Sequence, residues 1–141
     1  MRINSENPTA GKLFQEAVLK SMERRFGVRL IPEKAIAIGE PPKAHRFDGV
    51  SDDNKIVVEC KCYTWTEAGN VPSAKLMGLD EAVFYMSFLS ECVTKIICIK
   101  KSYRSDKKET LAQYYCRLKG HLLRDVQIYE MDDMGTLTRI R

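Results

Sequence analysis

Apolar positions along the first quarter of the chain recur every three or four residues. From about Thr9 to Phe26, Leu13, Phe14, Ala17, Val18 and Met22 fall at helical spacing, and Gly27 follows as a stop signal. A first helix is predicted there. From Val28 to Ile38 the spacing changes: Val28, Leu30, Ala35, Ile36 and Ile38 surround Pro32, as in an extended segment that is interrupted or lies at a sheet edge. Pro41-Pro42 then breaks the chain before Arg46–Ser51. Lys55–Thr64 is rich in β-branched and aromatic residues, and the Asp52-Asp53-Asn54 cluster between these two runs predicts a β-hairpin.

Beyond Pro72 the helical period returns over Ala74–Glu91, through Leu76, Leu79, Ala82, Val83, Met86 and Leu89. Lys95–Lys100 encloses the unbroken run Ile96-Ile97-Cys98-Ile99, expected of a strand buried on both faces. Thr110–Leu123 is helical in period through Leu111, Tyr114, Leu118 and Leu122. Val126–Glu130 and Thr136–Ile140 form a closing pair of strands around Asp132-Asp133-Met134-Gly135. The predicted order is α-β-β-β-α-β with a C-terminal α-β-β extension, an α/β domain with a mixed central sheet flanked by helices. No repeat, low-complexity tract or linker divides it, and 141 residues with 44% hydrophobic content suit a single domain, residues 1–141.

Charge and cysteine content narrow the classes. Lysine and arginine number 23 against 19 acids, a net +4, which leans toward a polyanionic partner. Five cysteines, an odd number, with no leader-like N-terminal pattern, argue against a secreted disulfide framework and for the reducing cytoplasm. No apolar run approaches the roughly 20 residues a membrane span needs, so a soluble protein without a membrane partner is expected.

Alternation along Lys55–Thr64 sends Glu59 and Lys61 to one face and Cys60 and Cys62 to the other. If Asp53-Asn54 forms the hairpin loop, counting back along both strands sets Asp48 opposite Glu59, with Cβ atoms about 4.5–5.5 Å apart. Two facing carboxylates repel unless a cation or an arginine resolves them. Arg46 would face Lys61 in that register, so a salt-bridged quartet is one reading. The other is an oxygen-ligated Mg²⁺ site from Asp48, Glu59 and the main-chain carbonyl of Cys60, completed by water. Such a site suits phosphodiester hydrolysis: Mg²⁺ acidifies a water, and Lys61 orients that water or neutralises developing charge.

Phe47-Asp48, ten intervening residues, and Val57-Val58-Glu59-Cys60-Lys61, placed inside this element order, resemble the PD-(D/E)xK nuclease superfamily, the restriction-endonuclease-like fold. The resemblance covers roughly Ala10 to Lys100 and departs from the family name only in Phe47, where that name has proline. It implies a Mg²⁺-dependent deoxyribonuclease, an endonuclease, with Mn²⁺ able to substitute. Asp48, Glu59 and Lys61 are its catalytic set, DNA is its substrate, and a homodimer or a separate specificity subunit would supply recognition.

The family often adds a first-helix glutamate. Here Gly11, Phe14, Gln15, Glu16 and Val18 resemble the usual pattern with glutamine at the expected acid. Glu16, next to it, is the candidate, although on a helical wheel it lies opposite the apolar face with Lys12 and Lys20, where a surface ion pair would explain it. Lys75 at the start of the second long helix is a candidate phosphate contact, or a solvated first-turn lysine.

Lys100, Lys101, Tyr103, Arg104, Lys107 and Lys108 mix cations with an aromatic ring, as a backbone-tracking surface would, or as a charged surface loop would. Lys101 and Arg104 are the nucleic-acid-binding candidates among them. Trp65 stands either at the mouth of the site as a stacking platform or in the core. Cys60 and Cys62 read as buried apolar residues rather than zinc ligands, and His45 and His121 are too isolated to form a metal or nucleophilic centre. Two rival functions keep the fold without hydrolysis. One is a nucleic-acid-binding module; the other is an interaction subunit whose acid–base cluster is only a salt-bridge network.

Overall fold

The computed structural model describes residues 8–105 and 108–141. Helix α1, Pro8–Phe26, ends where Gly27 turns to φ +63° and returns its N–H to the Glu23 carbonyl at 2.8 Å. Glycine enters that left-handed conformation without a Cβ penalty. Three strands follow: β1 Leu30–Ile38, β2 Lys43–Ser51 and β3 Ile56–Lys61. After them come α2 Ser73–Met86, β4 Thr94–Lys100, α3 Leu111–Lys119 with a 3₁₀ turn at Gly120–Leu122, β5 Val126–Met131 and β6 Leu137–Arg139.

The six strands lie in one mixed sheet in sequence order, β1-β2-β3-β4-β5-β6. The pairs β1–β2, β2–β3 and β5–β6 are antiparallel, whereas β3–β4 and β4–β5 are parallel. The predicted α-β-β-β-α-β order and α-β-β extension are both present. Pro32 is accommodated because β1 is an edge strand, where a missing N–H leaves no gap in an inner ladder.

Two cores sandwich the sheet. On one side Phe14, Val18, Leu19 and Met22 of α1 pack on Val58, Ile96, Cys98 and Tyr129. On the other, Leu76, Leu79 and Met86 of α2 and Leu111, Ala112 and Tyr115 of α3 cover Val57, Ile97, Ile99 and Ile128. The unbroken run in β4 follows from this, since Ile96 and Cys98 face α1 while Ile97 and Ile99 face the other two helices.

Boundaries shift where polar groups intervene. The second long helix stops at Met86, five residues short of the predicted Glu91. Ser87 Oγ there donates to the Phe84 carbonyl at 2.5 Å, and the buried Lys95 ammonium draws in the carbonyls of Ser90 and Val93. That ammonium, 2% exposed, also contacts Asp125 Oδ2 at 2.6 Å, which completes its solvation. Helix α3 begins on a capping box: Gln113 N–H donates to Thr110 Oγ1, and Thr110 N–H donates to Gln113 Oε1. Among the described residues no helix is long and apolar enough to cross a membrane.

Candidate active site

The β2–β3 turn sets the geometry of the site. Ser51 Oγ donates to Asp53 Oδ1 at 2.8 Å and accepts the amides of Lys55 and Ile56 at 3.1 and 2.9 Å, while Asn54 takes φ +60°. Asparagine tolerates that left-handed turn better than most residues. The register that results pairs Val50 with Val57 and Gly49 with Val58. One step further puts Asp48 opposite Glu59, as the loop count predicts.

There the regular ladder ends and the side chains replace it. Asp48 N–H donates to Glu59 Oε1 at 2.9 Å, and Cys60 N–H donates to Asp48 Oδ2 at 2.7 Å. Each carboxylate thus accepts an amide from the opposite strand in a charge-assisted bond. One oxygen of each acid is tethered; Asp48 Oδ1 and Glu59 Oε2 are the second oxygens.

Burial raises both acids. The Glu59 carboxyl is pushed from 4.5 up to about 7, first by desolvation and next by the like charge of Asp48. Asp48 is also raised, by desolvation first, with the Cys60 amide acting in the opposite direction. Lys61 Nζ sits 3.9 Å from Glu59 Oε2, with the two side chains 22% and 12% exposed. That separation is at the outer limit of an ion pair, and it leaves much of the pair's negative charge uncompensated. Arg46 is exposed on β2, and only Lys61 of the expected quartet reaches a carboxylate by an ion pair among the described residues.

Three elements close around the pair. Helix α1 approaches β2 so tightly at Gly49 that a Cβ there would lie 2.3 Å from Leu19 Cδ2. That proximity brings Gln15 within reach: its Nε2 donates to the Asp48 carbonyl at 3.2 Å and to Glu33 Oε1 at 3.0 Å. Glu16, the expected helix acid, is exposed, and Gln15 is the α1 residue that contacts the site. From the α2 side the Tyr63 hydroxyl lies against Gly78, where a Cβ would come within 2.6 Å of it. Lys61 Nζ and Lys75 Nζ lie 5.8 and 5.9 Å from the Tyr63 ring centroid, so Lys75 reaches the neighbourhood of Lys61 through a shared aromatic.

Glu33 and Tyr63 were not apparent from sequence. Glu33 sits between the β1–β2 pairs Pro32–Gly49 and Lys34–Phe47, hence opposite Asp48, with φ +57°. For a residue with a Cβ that conformation costs about 1–2 kcal/mol. Its only sequence signal is the preceding proline in a strand. Tyr63 offered its position two residues beyond Lys61, on the same face.

The other candidates are dispersed. Trp65, weighed as a stacking platform, is core: it is 6% exposed, edge-on to Tyr114 at 5.1 Å and covered by the Arg104 guanidinium at 4.9 Å. Arg104 is pinned by its Nε donating to the Gly69 carbonyl at 3.0 Å. Lys101 lies just beyond β4, which runs parallel to β3, so it shares with Lys61 the C-terminal end of these inner strands, and its Nζ is 5.4 Å from the Tyr103 ring. Tyr103 is 56% exposed and offers the open aromatic face that Trp65 does not. Lys108 is exposed, and Lys107 lies outside the described residues. Cys60 and Cys62 pack toward α1, away from Glu59. His45 stacks on Tyr85 at 3.9 Å, an aromatic packing role. A groove of about 350 Å³ lined by Asp80, Phe84, Tyr115 and Leu123 shares no residue with the carboxylate pair.

No three His, Cys, Asp or Glu side chains among the described residues converge to cage an ion directly. Mg²⁺ does not require that: it keeps several waters and is commonly held by one or two carboxylates. Hard oxygen donors, one anchored oxygen on each acid and excess negative charge all fit such an ion. Comparison of the chain with family models, curated proteins and solved structures finds no match. Fold and site define an α/β protein with a largely buried acid pair, flanked by lysine, at the parting of two strands.

Proposed function

We propose that the protein is a divalent-cation-dependent nuclease hydrolysing DNA phosphodiester bonds, in the restriction-endonuclease-like arrangement its sequence resembles. The observation that carries the reading is the crossed tethering of the two carboxylates where β2 and β3 part: Glu59 accepts the Asp48 amide and Asp48 accepts the Cys60 amide. It holds two like charges together with Lys61 at the rim and, among the described residues, no arginine between them. Ordinary sheet surfaces avoid such a pairing.

Asp48 and Glu59 would hold Mg²⁺ or Mn²⁺ through their second oxygens, with the Cys60 main-chain carbonyl as the third protein donor. When bound, the ion supplies Lewis acidity and offsets charge on the phosphate. The tethering amides hold one oxygen of each carboxylate in place, which reduces the order that would be lost on binding. Lys61 donates hydrogen bonds toward the attacking water or toward the phosphate oxygen that gains charge. Lys75, Lys101 and Arg104 supply cations for backbone phosphates.

The test is cleavage of linear, circular, single-stranded and branched DNA with Mg²⁺ or Mn²⁺, comparing wild type with Lys61→Ala and Asp48→Ala. Cation-dependent products absent in both variants support the reading. Folded wild type that binds DNA but cuts none of these forms points instead to a non-catalytic binding module.

A further inference from the structure

Glu33 is an acid that the mechanism above leaves unused. It lies opposite Asp48 across the β1–β2 pairing, and Gln15 Nε2 joins the two, donating to Glu33 Oε1 at 3.0 Å and to the Asp48 carbonyl at 3.2 Å. A single amide group therefore fixes the carboxylate of β1 relative to the main chain of β2. The negative charge of Glu33 acts on both Asp48 and Glu59. Among the described residues, three acids with Lys61 in ion-pair range of Glu59 make an excess of charge of the same sign that a cation would relieve.

Direct ligation by all three does not match the geometry, since no three such side chains converge on one point among the described residues. Glu33 is also exposed, as a group turned toward water would be. We infer that Glu33 is the outer acid of the cation site, acting on the ion through intervening water while Gln15 holds it beside Asp48. It is a positioning residue: carboxylates of this kind orient the hydration of a bound ion and set its affinity. The inference rests on the cation-dependent reading and adds to it a residue from β1, an element that reading does not use.

The experiment is Mn²⁺ binding to the EDTA-stripped full chain, followed by calorimetry and by the loss of the free Mn²⁺ paramagnetic resonance signal. Wild type, Glu33→Gln, Glu33→Asp, Gln15→Ala and Glu59→Gln are compared, with melting temperatures recorded beside each. Glu33→Gln should weaken Mn²⁺ by about 10-fold, Glu33→Asp should recover most of that loss, and Gln15→Ala should fall between. A fold defect alone would lower the melting temperature without the aspartate rescue. If wild type binds Mn²⁺, Glu59→Gln does not, and Glu33→Gln binds as wild type does, the inference fails while the cation site stands. If wild type binds no Mn²⁺ at any concentration below precipitation, both fail together.

Discussion

Removing the charge of Glu59 should change how stability depends on pH, in a direction opposite to that of most paired carboxylates. Burial, and then Asp48, raise its carboxyl from 4.5 to about 7. The folded state therefore binds this proton more tightly than the unfolded chain does. Its contribution is complete below pH 4.5 and disappears as pH rises through the folded value near 7. Each pH unit of displacement corresponds to about 1.4 kcal/mol, so metal-free protein should lose about 2–3 kcal/mol between pH 5 and pH 8. With its side chain 12% exposed, Glu59 needs little discount for solvent screening.

Asp48 is raised as well and acts in the same direction, although the two share one repulsion and their effects do not add. Asp53, Glu109 and Asp125 are lowered by their hydrogen-bonding partners, and their contributions vanish only in more acidic solution, outside this window. Urea unfolding in EDTA, from pH 5 to pH 8.5, measures the slope. Glu59→Gln retains an acceptor for the Asp48 amide while eliminating the charge, so it should flatten most of the decline and exceed wild type in stability at pH 8. Wild-type stability that is level or rising over this range, or an equal slope in Glu59→Gln, would refute the reasoning.

Further outcomes follow from packing. Gly49→Ala places a methyl 2.3 Å from Leu19 Cδ2, and should cost about 1–3 kcal/mol in urea unfolding because Leu19 is buried and must be displaced. Thr110→Ala removes the capping box of α3, with an expected loss of about 1 kcal/mol by the same assay. Trp65→Ala should destabilise by about 3–5 kcal/mol, while Tyr103→Ala should leave the melting temperature unchanged and weaken single-stranded DNA binding. The reverse pattern would restore Trp65 as the stacking residue.

Much of this arrangement was legible in the chain because two strong local signals agree. The Asp52-Asp53-Asn54 turn fixes where the hairpin folds, and alternation in Val57-Val58-Glu59-Cys60-Lys61 fixes which residues share a face. Together these give the Asp48–Glu59 juxtaposition, even though the turn is built on Ser51 hydrogen bonds rather than on a two-residue loop. The helical wheel likewise separates Glu16 from the buried face of α1. Glu33 was not legible, because its place depends on a positive φ inside a strand and on a glutamine from a distant helix. Trp65 was undecided for a related reason: a loop residue becomes core only when another segment covers it, and here Tyr114 and Arg104 do so. The early end of α2 depends on how Lys95 is solvated, which no periodicity records.

The division of labour in the site can be measured most directly as the single-turnover rate of DNA cleavage against Mn²⁺ concentration, for wild type and Lys61→Ala in matched preparations. If Asp48 and Glu59 hold the ion and Lys61 serves the chemistry, the two proteins half-saturate at similar Mn²⁺ concentrations, with the variant slower by about 100-fold or more. Cleavage by Lys61→Ala at the wild-type rate, or wild-type cleavage indifferent to Mn²⁺ and EDTA, would contradict the account.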